Sequence, residues 1–288
     1  MKRVAAVKKM RERLRHLPQL RIGGIMLAFL LFVVIFAPLL APYDPYALSD
    51  NMVEAPNFRH PLGTDGLGRD VLSMLIYGAR TSLMVGGAAA LIAAVIGVFL
   101  GGVAGFFGKK IGSVIGEAIN VFMMMPTFFL ILIVVALFGS GITKVMLVIG
   151  LTTWVGNAKL MRAQAMSLRE RVFVRAAESV GESKLSILFW HIIPNGIYPI
   201  VANTTMGVAS AILTESSLAF LGLGDPNVIS WGQIIQSGKS YLVDGWWICA
   251  FGGLSIIYTV ITFYLLGDGL NIMLSPKLAS VQNAGKRT

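Results

Sequence analysis

Long uncharged apolar runs alternate with short polar connections along this chain. Residues 22–43 and 81–107 carry no charge, 111–138 is interrupted only by Glu117, 196–221 only by Glu215, and 245–267 is uncharged. A bilayer core about 30 Å thick takes roughly 20 apolar residues of helix, so each of these five runs is long enough to cross. Residues 145–158 are uncharged but shorter, and cross if Lys144 and Lys159 extend to the two interfaces. The pattern predicts an all-α polytopic membrane protein with six transmembrane helices. Pro126 lies inside the third span and predicts a kink there, and Pro42, Pro45, Pro56 and Pro61 mark 42–61 as an irregular connection.

Composition agrees with the pattern. The chain is 56% hydrophobic and 13% charged, against about 25% charged residues in a soluble domain. The single Cys249 excludes an intrachain disulfide and a multi-cysteine metal site. His16, His60 and His191 lie far apart in sequence and on different predicted sides, which excludes a histidine metal site.

A net charge of +10 suggests nucleic acid until its distribution is read. Eight basic residues lie in 1–21, two in the turn 108–110, six in 159–195 and three in the C-terminal tail. These segments fall on one side of a six-span topology, leaving Arg59, Arg69, Arg80, Lys144 and Lys239 on the other. The positive-inside rule therefore predicts that both termini and the polar island 164–195 are cytoplasmic, and no nucleic-acid partner is expected. The basic N-terminus followed by an apolar stretch of helix length reads as an uncleaved first helix rather than a signal peptide. The chain divides into a basic segment 1–21, a first transmembrane helix 22–43, an external connection 44–80, a five-helix core 81–270 containing the loop 164–195, and a tail 271–288.

The island is the most informative stretch. Ser167 and Glu170 fit a capping box, predicting a helix from about 168 to 180 with Gly181 at its C-terminal end. Ser183 is placed to cap a second short helix, expected to stop before Pro194. Small Ala176 and Ala177 permit close approach of another backbone, and Arg169, Arg171, Arg175, Glu178, Glu182 and Lys184 can fix a partner's register. His191 reads as a polar contact within this unit. An interfacial amphipathic helix is the alternative reading.

Arg175-Ala-Ala-x-x-x-Gly181, with Pro194 thirteen residues on, resembles the EAA loop of ABC importer permeases, with Arg175 where that family usually has Glu. The ending His191-Ile-Ile-Pro-Asn195 is similar to the oligopeptide, dipeptide and nickel branch. His60-Pro-Leu-Gly-Thr-Asp-Gly-Leu-Gly-Arg-Asp-Val-Leu-Ser73, Glu215-Ser-Ser-Leu-Ala-Phe-Leu-Gly-Leu-Gly224, Ser230-Trp-Gly232 and Gly267-Asp-Gly-Leu270 with Ser275-Pro276 resemble further segments of that branch, in the same order. Asp225-Pro-Asn-Val and Asn120 depart from it. The resemblance implies a type I ABC importer permease fold in a bacterial or archaeal cytoplasmic membrane. It implies half of a translocation pore for peptides or for nickel and other metal chelates. The implied partners are a second, paralogous permease, two cytoplasmic ATPase subunits that bind ATP-Mg, and an extracytoplasmic substrate-binding protein. Phe173, Val174, Arg175, Ala176, Ala177, Glu178, Gly181, Glu182, His191, Pro194 and Asn195 would form the ATPase-docking surface.

No enzymatic site is expected. Gly238-Lys-Ser240 lacks the Gly that an ATP-binding loop needs five residues earlier, since position 233 is Gln. No cofactor is expected on this chain. Glu215 and Asp268, as acids within or beside spans, are candidate gate or pathway residues, with Met124 and Met125 beside Pro126. Asp65, Arg69 and Asp70 are candidates for contact with the outer binding protein or for a local ion-pair cluster. An ATP-independent channel or secondary transporter, with Glu215 and Asp268 as ion sites, is the reading of a different class.

Overall fold

The computed structural model describes residues 17–139 and 141–274. Most of the basic N-terminal segment, including His16, and the tail with Ser275, Pro276, Lys277, Lys286 and Arg287 lie outside the described residues.

The described chain is all helical. Helix α1 spans Pro18–Ile35 and a short α2 Ala37–Leu40. The longest helix, α3, spans Val71–Phe107. Helices α4 (Lys109–Met124) and α5 (Thr127–Phe138) follow, then α6 (Ile142–Thr152) and α7 (Val155–Arg169). The polar island holds α8 (Val172–Ser179), α9 (Lys184–Ser186) continued by a π-helical stretch Ile187–Ile192, and α10 (Ile193–Gly196). Helices α11 (Tyr198–Phe220), α12 (Trp231–Gly238) and α13 (Trp246–Leu274) complete the chain.

Helix α3 is the axis on which α6, α7 and α11 pack, while α13 lies against α11 and α1. Its sequence explains the close fit. Gly97, Gly101 and Gly105 recur every fourth residue and so share one face. A Cβ at Gly97 would lie 2.5 Å from Asn157 Cβ, and one at Gly105 2.7 Å from Ala165 Cβ. Removing those side chains lets two backbones meet where lipid offers no hydrophobic driving force between helices.

Three helices, α1, α3 and α13, are each long and apolar enough to cross a bilayer. Two bent pairs bring the number to five. One is the predicted third span: α4 and α5 meet at Met125 and Pro126 with an 84° bend. The other joins the stretch Lys184–Gly196 to α11 at 62°. The expected fourth span, 145–158, is delivered as two helices, α6 and α7, of 11 and 15 residues.

Other boundaries also move. Helix α3 begins at Val71, so the connection after the first helix ends ten residues before the expected position of 80. Asp70 caps the helix by accepting from Ser73 N, and Arg80 is tolerated inside it because its Nε donates to Val34 O at 2.7 Å. The island differs in two ways. No helix starts at 168: α7 runs on to Arg169, Ser167 lies inside it, and the turn at Glu170 and Arg171 separates it from α8. Nor does the chain stop before Pro194. The wider π-helical turn precedes it and Pro194 falls in the first turn of α10, where its missing N–H costs nothing.

Candidate functional site

The island folds as a compact unit with one face on the protein and one face open. Val174 and Ala177 on α8 are buried with Ile187, Leu188 and Ile192, against Phe106 of α3 and Met161 and Ala165 of α7. Val172, Phe173, Val180, Leu185 and Trp190 are exposed around it, Trp190 to 77%, while Phe189, also exposed, stacks on Phe99 of α3 with ring centroids 6.5 Å apart. Ala176 and Arg175 lie on the same open side, and Arg175 pairs with Glu170 at 2.7 Å.

The turn between α8 and α9 is set by Gly181. Its φ is +81°, a conformation that costs an L-residue energy. Gly181 N donates to Glu178 O and Glu182 N to Ala177 O, both at 3.1 Å, which is the paired C-terminal bonding of a Schellman motif. Ser183 then caps α9 by accepting from Ser186 N, as the sequence suggested. Glu182 closes the unit: Ser186 Oγ donates to its Oε1 at 2.6 Å and His191 Nε2 lies 3.0 Å from its Oε2. The Ser186 hydrogen bond and then His191 hold the Glu182 carboxyl below the usual carboxylate range, against the opposing effect of desolvation. The π-helical stretch carries His191 back over Glu182, and Asn195 Nδ2 donates to His191 O at 2.7 Å. Pro194 and Asn195 are exposed at the far end of the unit.

A second feature is a polar groove along α11. Ala90 and Ala93 of α3, Thr153 and Asn157 at the start of α7, and Asn203, Ser210 and Thr214 of α11 line a cavity of about 310 Å³ that reaches Tyr264 of α13. An adjoining cavity of about 530 Å³ shares Thr153 and Thr214 and extends to Met123, Phe128 and Lys159. Asn203, Gly207, Ser210, Thr214 and Ser217 are spaced three and four apart, so they share one helical face. That face is uncharged. Asn203 Nδ2 donates to Asn157 Oδ1 at 2.9 Å, and Thr204 Oγ1 is buried without a partner among the described residues. The sequence reading missed this stripe, although its 3–4 spacing of amides and hydroxyls was the available signal.

The candidate gate residues take different places. Glu215 is buried and turned from the groove; Ser230 Oγ donates to its Oε1 at 2.7 Å, and Ser216 Oγ lies 3.4 Å from its Oε2. It thus holds the loop that begins α12, whose Trp231 N donates to Ser82 Oγ and whose indole N–H donates to Leu75 O. Asp268 is exposed one helical turn beyond Tyr264, on the same face of α13. Met124 and Met125 are exposed at the α4–α5 bend, and their neighbour Met123 lines the groove.

In the connection between α2 and α3, Asp65, Arg69 and Asp70 form two pairs rather than one cluster. Arg69 Nε donates to Asp65 Oδ2 at 2.8 Å, while Asp65 Oδ1 accepts from the backbone of Leu67 and Arg69. Asp70 accepts from Ser73 and lies 2.9 Å from His60 Nδ1. Both carboxylates are buried and satisfied, so they shape this loop from within.

Residues 97–280 match the family described as "Binding-protein-dependent transport system inner membrane component", and residues 7–60 match the "N-terminal TM domain of oligopeptide transport permease C". The chain is 35% identical over 266 residues to the di/tripeptide transport system permease protein of Pseudomonas aeruginosa, covering 89% of this chain and 88% of that one. It is 32% identical to the probable D,D-dipeptide transport system permease protein of Escherichia coli, over 91% of this chain and 88% of that one. It is 35% identical to the glutathione transport system permease protein of Pectobacterium atrosepticum, over 90% of this chain and 87% of that one.

Proposed function

The chain belongs to the family of binding-protein-dependent transport system inner membrane components, as a permease of the peptide ABC importers, and from that premise we propose that it forms half of a peptide translocation pore driven by a separate ATPase. In this reading the protein crosses the membrane six times, with α6 and the first part of α7 acting together as the fourth span, and both termini are cytoplasmic. A paralogous permease completes the pore, two ATPase subunits bind ATP-Mg in the cytoplasm, and an outer binding protein delivers substrate. The transported class is short peptides, since the permeases of the similar systems named above carry dipeptides, tripeptides or glutathione. This favours peptides over nickel or metal chelates.

One observation carries the coupling role. The segment from α8 to α10 is anchored to α3 and α7 by one apolar face and leaves a second, with Val172, Leu185 and Trp190, uncovered. A soluble protein surface with this many large apolar groups marks an interaction site. Docking of an ATPase there would let nucleotide-driven closure move the helices to which the segment is anchored. The two states must differ in their contacts with nucleotide for that to work. The uncharged face of α11 in the groove fits passage of peptides, with hydroxyls and amides available to peptide N–H and C=O groups and Lys159 standing on the adjoining cavity. Asp268, one turn beyond Tyr264, would stand at the cytoplasmic end of that path. Arg69 and the exposed loop around it would face the binding protein.

The test is co-purification from membranes expressing the whole importer. Leu185→Glu and Trp190→Glu alter exposed side chains and should leave the permease folded but free of ATPase. Retention of the ATPase by both variants would sink the docking assignment. A wild-type chain that purifies without any ATPase and moves peptide in liposomes without ATP would instead support the channel or secondary-transporter reading.

A further inference from the structure

A third cavity, of about 260 Å³, opens where α3 ends, α4 begins and α7 approaches its C-terminus; Gly105, Gly112, Ser113, Arg162, Arg169 and Glu170 line it. It belongs neither to the groove along α11 nor to the open face of α8. Its volume is several times the roughly 30 Å³ share of one water. Two arginines face it. Arg162 lies flat against α4, where a Cβ at Gly116 would come 2.5 Å from its Nη1 and 2.9 Å from its Cζ. Its Nε is buried and has no hydrogen-bond partner among the described residues. Arg169 Nη1 donates to Phe106 O at 3.1 Å, which leaves further guanidinium donors available. Among the described residues neither arginine forms an ion pair. Glu170, the one carboxylate on the rim, is paired with Arg175.

The backbone adds to the same potential. Helix α4 starts at the cavity, its N-cap Gly108 provides no side-chain cap, and it runs for 16 residues. The N–H groups of its first turn have no partner within the helix, and the helix dipole places partial positive charge at that end. Two guanidinium groups and an uncapped helix N-terminus converge on one small cavity. Phosphate oxygens satisfy both, because a guanidinium fork matches phosphate geometry. The surroundings favour a lipid over a free ion: Ile111 and Val114, on the exposed face of the same first turns of α4, are 50% and 69% exposed and offer an apolar surface to acyl chains. Basic pockets between transmembrane helices on the cytoplasmic side are where anionic headgroups bind.

We propose that this cavity binds the phosphate of an anionic phospholipid of the inner leaflet. The orientation rests on the cytoplasmic placement of the polar island in the reading above. The lipid would tie the α3–α4 turn to the end of α7, at the root of the docking segment.

The test uses the complete transporter purified in detergent, titrated with phosphatidylglycerol or with phosphatidylcholine and read by native mass spectrometry. Wild type should bind phosphatidylglycerol preferentially. Arg162→Gln should weaken that binding about tenfold, the worth of one lost charge-assisted hydrogen bond. Ser113→Asp, an exposed substitution at the mouth, should do the same without touching the packed arginine, which guards against misfolding of the first variant. Inorganic phosphate, added at increasing concentration, should compete only weakly. Equal binding of the two lipids, unchanged affinity in both variants, or displacement by phosphate at the same concentration as the lipid would each overturn the proposal. Absence of ATPase from the purified complex would count against the importer reading instead, and is scored separately on the same spectra.

Discussion

Replacing Gly181 by alanine tests whether backbone conformation, rather than side-chain contact, shapes the segment from α8 to α10. Gly181 holds φ +81°, and a Cβ there would meet nothing within 4 Å. The substitution therefore adds no clash and only the cost of a left-handed conformation, about 1–2 kcal/mol for an L-residue. That cost falls on the two hydrogen bonds from Gly181 N and Glu182 N. Local opening of the turn should become about 5–30 times more populated. Hydrogen exchange of the amides at 181 and 182 reads this directly, and their exchange should accelerate by that factor. Gly181→Asn should accelerate far less, because Asn tolerates this conformation. ATPase affinity should fall only as far as the folded fraction of the segment falls. Unchanged exchange in the alanine variant would refute the strain argument. Equal loss of ATPase binding in the alanine and asparagine variants, without faster exchange, would show that the partner touches position 181 itself.

Three further outcomes are expected. Gly97→Val should destabilise the α3–α7 contact by roughly 1–3 kcal/mol through overpacking, since even a Cβ would stand 2.5 Å from that of Asn157 and 2.8 Å from Ala158 N; a lowered melting temperature in detergent checks it. Glu215→Leu should cost about 1–3 kcal/mol by leaving the buried Ser230 hydroxyl without its acceptor, whereas Glu215→Gln should cost much less, and a larger loss for Gln would contradict the structural role given to this acid. The contact of Glu182 with Ser186 and His191 should weaken in acid: the carboxyl is held below its ordinary range, so its contribution is complete above the unfolded carboxylate pKa and is lost as pH falls through the lower folded value. Exchange of the 182–191 amides should rise at acid pH in wild type and show no such pH step in Glu182→Gln.

Much of this architecture was legible in the apolar runs, because a bilayer demands a length of uncharged helix that little else in a sequence imitates. Helix ends were harder. The expected start of the second span at 81 followed the last charge, Arg80, yet the helix begins at Val71, because a backbone carbonyl on α1 takes up the guanidinium. Ser167 and Glu170 satisfied a capping pattern, but the residues before them, rich in Ala, Leu, Met and Arg, carry α7 straight through it. Gly181 and Ser183 were read correctly, since a left-handed turn and a short polar cap are local requirements. The orientation of Glu215 was beyond sequence reasoning: Thr214 on one side and Ser216 and Ser217 on the other leave the rotation of the helix open, and Ser230, fifteen residues away, decides it. The groove residues were missed because each hydroxyl or amide is unremarkable alone and only their spacing on α11 marks a face.

The length of α3 has a mechanical consequence. Its 37 residues make a rod about 55 Å long at about 1.5 Å per residue, longer than the apolar thickness it crosses. One end begins in the loop built on Asp65 and Asp70; the other, at Phe106, is packed into the cluster that seats the segment from α8 to α10. Such a rod is a lever with its fulcrum in the membrane. Pivoting it by about 5° at mid-length would carry each tip some 2.4 Å in opposite directions (rod length from its rise per residue). A displacement of that size at either mouth is then transmitted to the other without any helix sliding or unwinding. In the proposed reading the two ends of the path would be geared through this single covalent element, and the glycine face of α3 would be the bearing on which α7 turns.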